Sequence, residues 1–432
     1  MDQHLDHDHN GDGVDRRGFL KCMAWAGTGM VWAVNSGVLS SVSLGSLGRL
    51  SPTTLKSTLY FAQISDSHIG FSKEANPDVT ATLQVAVNRL NALPERPAFV
   101  LHTGDISQLS KPSEFDTADQ VIKGIKTGRV FYVPGEHDVL TDNGQSYLGR
   151  YGKGTKGSGW YSFDHSGVHF IGLVNVLNLK AGGLGNLGQE QLDWLKRDVQ
   201  GLSASTPIVV FAHIPLWTVY PEWGWGTDDS EQALGLLKRF GSVSVLNGHI
   251  HQILQKVEGN VRFHTAMSTA FPQPAPGMAP SPGPMKVEAD RLQKVLGISS
   301  VEFLRGHRAL AVIDSALDGT PAVPGAAARA SVAGSQAQPT APTDSSKGGT
   351  TATISIDNFS FMPSTTTVPA GTTITWVNAD DVPHKIMSSD GKFAASPAID
   401  TNDKYAFRFT QPGRYEYFCA LHPKMTGTIV VK

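Results

Sequence analysis

The 432-residue chain has almost no cysteine: Cys22 and Cys419 are all it carries. Two thiols that far apart make no disulfide framework, so a stable core has to come from apolar burial or bound metal. There is no surplus of charge, with 36 Lys and Arg against 38 Asp and Glu, a formal charge of -2 and a pI near 6.7. That balance argues against a polyanion-binding surface, and nucleic acid is not expected as a main partner. Long apolar runs are missing as well. The N-terminal stretch CMAWAGTGMVWAV breaks at Asn35, short of the roughly 20 residues a membrane span needs. What the chain does have is histidine, 15 residues, and they concentrate in short motifs that also hold Asp, Glu, Cys or Met.

Ahead of that apolar stretch stands Asp15-Arg16-Arg17-Gly18-Phe19-Leu20-Lys21. The pattern resembles a twin-arginine export signal and implies a periplasmic or otherwise exported protein, with residues 1–50 as signal and N-terminal extension. No stable membrane span is expected unless the signal stays uncleaved. Cys22 and Cys419 then never coexist in the mature chain. The opening MDQHLDHDHN mimics the start of a calcium loop at Asp6, Asp8 and Asn10. The twelfth position is Arg17, where calcium needs a bidentate Glu, so a polar extension is the simpler reading.

From Thr58 to about Asp318, short apolar runs alternate with helix-patterned segments, the signature of layered α/β structure. LYFAQIS, AFVLHTG, VFYVPG, HFIGLVN, PIVVFAH and SVSVLNG read as strands; VTATLQVAVNRLNAL, LGQEQLDWLKRDV and EQALGLLKRF read as helices. The proline-rich FPQPAPGMAPSPGPMK reads as a surface loop. Between Ala316 and Thr350 large apolar residues almost vanish, which marks a linker that cannot bury enough surface to fold. The expected division is 1–50 signal, 51–318 an α/β domain, 319–350 linker and 351–432 a second domain.

Five motifs in order carry the chemistry of the first domain: Asp66-Ser67-His68, Gly104-Asp105, Gly135-Glu136-His137-Asp138, Ala212-His213 and Gly248-His249-Ile250-His251. Two close cations need hard oxygen and imidazole ligands, one shared carboxylate and an open edge, and these motifs contain that set. The constellation resembles the calcineurin-like metallophosphoesterases, most closely those of the cyclic-nucleotide and glycerophosphodiester phosphodiesterase type. The resemblance implies a four-layer α/β sandwich. It implies one metal on Asp66, His68 and His251, a second on Glu136, His213 and His249, and Asp105 bridging them. A metal-bridging hydroxide would attack the phosphoryl group and His137 would act as the catalytic group at the leaving oxygen, for which a pKa near the operating pH is suitable. Asp138 either orients a neighbour or holds the turn.

Two departures from the family stand out. Glu136 replaces the usual Asn, so the centre gains a negative charge and attracts phosphate less. Gln108 stands where purple acid phosphatases place an iron-binding tyrosine, which argues against a purple enzyme. The ligand types leave Zn, Mn and Fe open, alone or as a mixed-valence pair. The loop Pro215–Trp225 either walls the substrate pocket or packs beneath the surface, and Lys153 and Lys156 either meet substrate phosphate or, the simpler reading, belong to a solvated loop. His102, His165, His169, His264 and His307 belong to no constellation.

From about Thr351 the pattern changes to period-two alternation, as in Ile354, Ile356, Ile374 and Trp376, with turn signals PAG, SDG and QPG: an all-β module. His384 upstream and Cys419-x-x-His422-x-x-Met425 on the last loop supply a His₂Cys plane with an axial thioether, as type 1 copper requires. The segment resembles plastocyanin-like cupredoxins, and its His-to-Met spacing looks most like amicyanin. The resemblance implies one copper ion and one-electron transfer with a redox partner protein; copper storage or delivery is the other reading. The whole chain therefore reads as an exported phosphoesterase acting on phosphodiesters or phosphomonoesters, fused to a blue-copper domain. The alternative is a redox or copper-binding protein whose first domain hydrolyses weakly because of Glu136.

Overall fold

The computed structural model describes residues 57–304, 310–322 and 351–432, and the backbone of a hairpin formed by β1 (Met30–Asn35) and β2 (Val38–Ser43). Residues 1–56 separate as their own unit. Arg16, Arg17 and the linker beyond residue 322 lie outside the described residues, as does His307. Among the described residues no helix is long and apolar enough to cross a membrane.

Six of the eleven described strands of the first domain follow the apolar runs named above. The eleven are β3 (Ser57–Ile64), β4 (Val100–His102), β5 (Val130–Tyr132), β6 (Tyr161–His165), β7 (Val168–Gly172), β8 (Ile208–Phe211), β9 (Val243–Asn247), β10 (Gln255–Glu258), β11 (Val261–Thr265), β12 (Gly297–Leu304) and β13 (Leu310–Ala316). They form two sheets, ordered β13-β12-β3-β4-β5 and β10-β11-β9-β8-β7-β6. The central strands β3, β4 and β5 run parallel, as do β7, β8, β9 and β11.

Period-two side-chain alternation explains how each sheet buries both faces. On β3, Leu59 and Phe61 point into the space between the sheets, where they meet Leu101, Phe170, Phe211 and Leu246; Ala62 and Ile64 point the other way. On β8, Val209 and Phe211 face inward while Ile208 and Val210 face outward. The outward faces are covered by amphipathic helices: α1 (Val79–Asn91) and α2 (Pro112–Ile122) on the first sheet, α4 (Gln189–Gln200) and α5 (Ser230–Leu237) on the second. The shorter α3 (Gln145–Tyr151) and α6 (Ala289–Val295) lie in the connections. The result is the four-layer sandwich expected. Burying each large apolar side chain contributes about 1.5–3 kcal/mol, and Phe61, Phe170 and Phe211 are wholly enclosed. α1 starts where Asp78 caps it, its carboxylate accepting from the Ala81 N–H at 2.9 Å. α2, which the sequence patterning did not single out, starts at Pro112.

The C-terminal domain is a sandwich of two four-stranded sheets. Its strands are β14 (Thr351–Asp357), β15 (Ser360–Met362), β16 (Thr365–Val368), β17 (Thr372–Asn378), β18 (Ile386–Ser388), β19 (Lys404–Phe409), β20 (Gly413–Cys419) and β21 (Thr426–Val431). The sheet orders are β15-β14-β17-β19 and β16-β21-β20-β18. On β17 buried Thr372, Ile374, Trp376 and Asn378 alternate with half-buried neighbours, and Ile354, Trp376, Phe409, Tyr417 and Ile429 fill the core. β20 ends on Cys419 and β21 begins just after Met425, so the loop bearing the copper-ligand candidates is the connection between two paired strands.

Candidate metal centres

Each motif of the first domain sits just past the carboxyl end of a parallel strand: Asp66 and His68 after β3, Asp105 after β4, Glu136 and His137 after β5, His213 after β8, His249 and His251 after β9. The strands come from both sheets, so the side chains converge where the two sheets meet. The loops are held in unusual backbone. Asp66, His68, Asp105, His249 and His251 all have positive φ, between 42° and 71°, a region that costs non-glycine residues energy and persists only when packing over-determines it. Gly135 and Gly248 are required by close approach: a Cβ at Gly135 would stand 2.0 Å from Asp105 Oδ1, and one at Gly248 the same distance from Ser65 Oγ.

These side chains gather in space, and His137 falls in with His68 and Asp105. Asp66, His68 and His251 form one set, Glu136, His213 and His249 another, and Asp105 meets both through His68 and His213. His251 Nε2 is 3.3 Å from Asp66 Oδ1, His68 Nε2 is 3.6 Å from Asp105 Oδ2, and His213 Nε2 is 3.2 Å from that same oxygen. Glu136 spans its set, Oε1 lying 2.9 Å from His249 Nδ1 and Oε2 3.0 Å from His213 Nε2.

Whether these residues suit cations can be judged from their outer hydrogen bonds. His68 Nδ1 donates to Gln108 Oε1 at 2.9 Å, His213 Nδ1 to the Thr103 carbonyl at 2.7 Å, and His251 Nδ1 to the Phe271 carbonyl at 2.6 Å. With Nδ1 protonated, neutral imidazole presents a lone pair at Nε2. The Nε2 atoms of His68 and His251 then face each other at 3.2 Å as two acceptors, an arrangement that a cation between them satisfies. His213 Nε2 and Glu136 Oε2 are buried without a hydrogen-bond partner. Burial and then the Glu136 carboxylate hold Asp105 well above the usual carboxylate range. Crowded carboxylates and inward lone pairs leave the cluster short of positive charge, and divalent cations fit it.

His137 lies beside this cluster, its ring 4.7 Å from that of His68. Burial pushes it down to about 4, with Glu136 opposing and His422 adding to the fall. That lies below the near-neutral value expected of a group at the leaving oxygen, and burial is the cause. Its Nδ1 donates to the Gln108 carbonyl at 2.8 Å, which leaves Nε2 free of that bond. Asp138 belongs to the turn. Its carboxylate accepts from the N–H groups of Ile106, Ser107 and Gly135 and from Ser107 Oγ, tying the second motif to the third.

A cavity of about 430 Å³ opens onto the cluster. Tyr220, Trp223 and Trp225 line it, whereas Trp217 packs against Phe263 in the core, so the aromatic loop does both things considered for it. The proline-rich segment is more than a surface loop, because Phe271, Gln273, Pro280 and Pro284 form part of the wall. Lys153 and Lys156 are exposed and do not line it. The remaining histidines are accounted for locally: His102 with Ser67, His169 with Asp164 and Asp198, His264 with Asp314, and His165 edge-on to Phe99. Gln108, which looked informative only for the tyrosine it replaces, orients two histidines; no short motif announces that role.

In the C-terminal domain His384 Nδ1, His422 Nδ1 and Cys419 Sγ form a triangle with sides of 3.3, 3.5 and 3.6 Å. Donors 2.0–2.3 Å from one ion in a trigonal plane are separated by roughly 3.5 Å. Met425 is buried in the same core cluster. Asp380 accepts from His384 Nε2 at 2.9 Å, which leaves Nδ1 as the donor atom. Against burial, Asp380 and Cys419 raise His384 to about 9; against burial again, His422 and His384 hold the Cys419 thiol well below its ordinary value. The triangle suits a soft thiolate-bound ion, and Asp380 was not visible as part of it in the sequence.

Comparison with known proteins agrees with these two halves. The profile of the calcineurin-like phosphoesterases matches residues 59–253, and that of the cupredoxin-like domain matches residues 327–431. Amicyanin-alpha of Methylorubrum extorquens is 31% identical over 83 residues, which are 18% of this chain and 70% of that protein. Plastocyanin of Scenedesmus fuscus is 36% identical over 84 residues, 17% of this chain and 86% of that protein. A solved dimetal phosphatase from Danio rerio covers 60% of this chain and 96% of its own at 16% identity, with a TM-score of 0.43.

Proposed function

Because the chain belongs to the calcineurin-like phosphoesterases through residues 59–253 and to the cupredoxins through residues 327–431, we propose that it is an exported, metal-dependent phosphoesterase with a one-electron copper domain. The domain limits are 51–318 for the phosphoesterase, 319–350 for the linker and 351–432 for the cupredoxin. Asp66, His68 and His251 would hold one cation and Glu136, His213 and His249 the other, with Asp105 within reach of both sets; His384, Cys419, His422 and Met425 would hold copper. Bound at the first centre, two cations supply Lewis-acid polarisation of a phosphoryl oxygen and a water of lowered pKa.

The protein's own residues do the rest. Gln108, Thr103 and the Phe271 carbonyl hold three imidazoles in the tautomer that points Nε2 inward. The walls built by Trp223, Trp225 and Phe271 exclude water around a bound ester. His137 enters neutral and accepts a proton more readily once an anionic phosphate lies beside it, since a nearby negative charge favours imidazolium. The proton it accepts is the one the attacking water gives up, and His137 passes it to the leaving oxygen. The observation that carries this reading is the pair of inward Nε2 acceptors on His68 and His251 at 3.2 Å, beside Asp66 and Asp105.

The test is hydrolysis of bis(p-nitrophenyl) phosphate and p-nitrophenyl phosphate by protein loaded with defined Zn, Mn or Fe. Turnover that scales with occupancy of the first centre is expected. No turnover with both sites filled favours the second reading, a copper protein whose first domain no longer hydrolyses efficiently, for which the extra carboxylate of Glu136 is the motive. Export follows from Arg16-Arg17 ahead of the weakly apolar stretch and is checked by fractionating cells that express the full chain against an Arg16→Lys, Arg17→Lys variant.

A further inference from the structure

The copper-ligand candidates are not equally enclosed. His384, Cys419 and Met425 are buried, and His422 is partly open. Its open side lies on the cavity of the dinuclear cluster: His68, Glu136 and His137 line that space from one domain, and Phe359, His422 and Lys424 line it from the other. Specific contacts seat the loop there. The Gly182 N–H donates to the Pro423 carbonyl at 2.6 Å, and Lys424 Nζ donates to the Gly182 carbonyl at 2.6 Å. Lys385 Nζ donates to the Leu140 carbonyl, and Leu109 and Leu140 of the first domain pack into the apolar cluster of the second. Phe359 stands edge-on to His422, ring centres 4.7 Å apart.

We propose that the copper loop is the roof of the phosphoesterase pocket, so that one chamber takes a small phosphate ester and lays its phosphate near the His422 edge of the copper site. This rests on the hydrolytic reading above. A volume of about 430 Å³ falls in the range of small-molecule sites, ~300–1,000 Å³, and a nucleic acid or phosphoprotein does not enter while the loop is seated. The aromatic side chains of Tyr220, Trp223 and Phe359 in the chamber lining suit an ester with an aromatic or apolar group.

Redox linkage is a direct consequence. Reducing Cu(II) to Cu(I) adds one electron and removes one positive charge from a site that faces the anion. Phosphate therefore binds the oxidised chain more tightly than the reduced one, and by reciprocity lowers the copper midpoint potential.

The full chain, loaded with zinc at the first centre and copper at the second, is titrated with inorganic phosphate by calorimetry in both copper states. About tenfold tighter binding to the oxidised form is expected, equivalent to a midpoint lowered by about 59 mV for one electron. Lys424→Ala removes the clasp on Gly182 and leaves the four copper-ligand candidates in place. With its blue band retained, it is expected to shrink the difference. Equal phosphate affinity in the two copper states overturns the shared chamber while leaving the hydrolytic reading intact. Absence of phosphate binding in either state overturns both. Turnover of a long polynucleotide as fast as bis(p-nitrophenyl) phosphate overturns the roof.

Discussion

The two candidate metal centres are assembled in opposite ways. The first gathers donors from five loops spread between Asp66 and His251, each projecting from a different strand end and several in left-handed backbone. The second takes Cys419, His422 and Met425 from one tight connection and only His384 from elsewhere. A site made from distant segments depends on the whole sandwich to hold it, so its geometry is as stiff as the fold. A site made on one loop is nearly complete in local sequence and leans on a small number of outer contacts, chiefly Asp380 on His384. In both, imidazoles have their outward ring nitrogen tied to an oxygen acceptor: an amide or a main-chain carbonyl for His68, His213 and His251, a carboxylate for His384.

That contrast can be broken at its strongest point first. Asp105→Ala removes the carboxylate common to both donor sets, and phosphodiester hydrolysis is expected to fall by about 10³-fold or more, with loss of metal at the first centre, since metal polarisation supplies much of the rate. Metal analysis and kinetics on one preparation check this, and the copper absorption should stay as it was. The mirror experiment, Cys419→Ser, should abolish a blue band near 600 nm while the metal content of the first centre is unchanged. Loss of both sets of metals from either variant would mean that the halves do not fold independently of each other's sites.

Outer contacts give a finer comparison. Gln108→Ala and Asp380→Asn each cut one orienting hydrogen bond, and each is expected to weaken metal retention at its own centre by about 10–100-fold, read from competition with a chelator. A larger loss at the copper site would support the view that the single-loop site leans more on its outer partner. Glu136→Asn should retain or raise hydrolysis, because it removes a negative charge from the surface that receives phosphate. If that variant instead loses its metals, the carboxylate is needed to balance the cations.

The smallest effect concerns the scaffold. His169 is raised by Asp198 and Asp164 against the opposing effect of burial. A folded value above the unfolded value of about 6.5 means the contribution is fully present below that pH and is lost as pH rises through the raised value. His169→Gln should lower Tm by about 2–4 °C or less at pH 6 and by less at pH 8, with both metal centres intact.

Much of this protein is legible without coordinates. Apolar runs placed β3, β4, β5, β7, β8 and β9, and period-two alternation marked the second domain as all-β, but β6 and β10 to β13 were not singled out; metal-donor types at strand ends marked the candidate centre of the first domain, as a site on a rigid sheet requires. The limits of local patterning show in particular residues. α2 was missed because its apolar positions are few and its start is marked by Pro112 alone. The proline-rich segment looked like surface because composition says nothing about which cavity a loop borders.

What the sequence by itself determined is the set of donors and the two kinds of core, since ligand chemistry and hydrophobic period are local properties of residues. Only the tertiary structure decided which donors lie near a common oxygen, which ring nitrogen of His68, His213, His251 and His384 is tied outward, that Gln108 and Asp380 do part of that orienting, and that His422 borders the same cavity as His68 and His137. Those depend on contacts between segments far apart in the chain, and no spacing along the sequence encodes them.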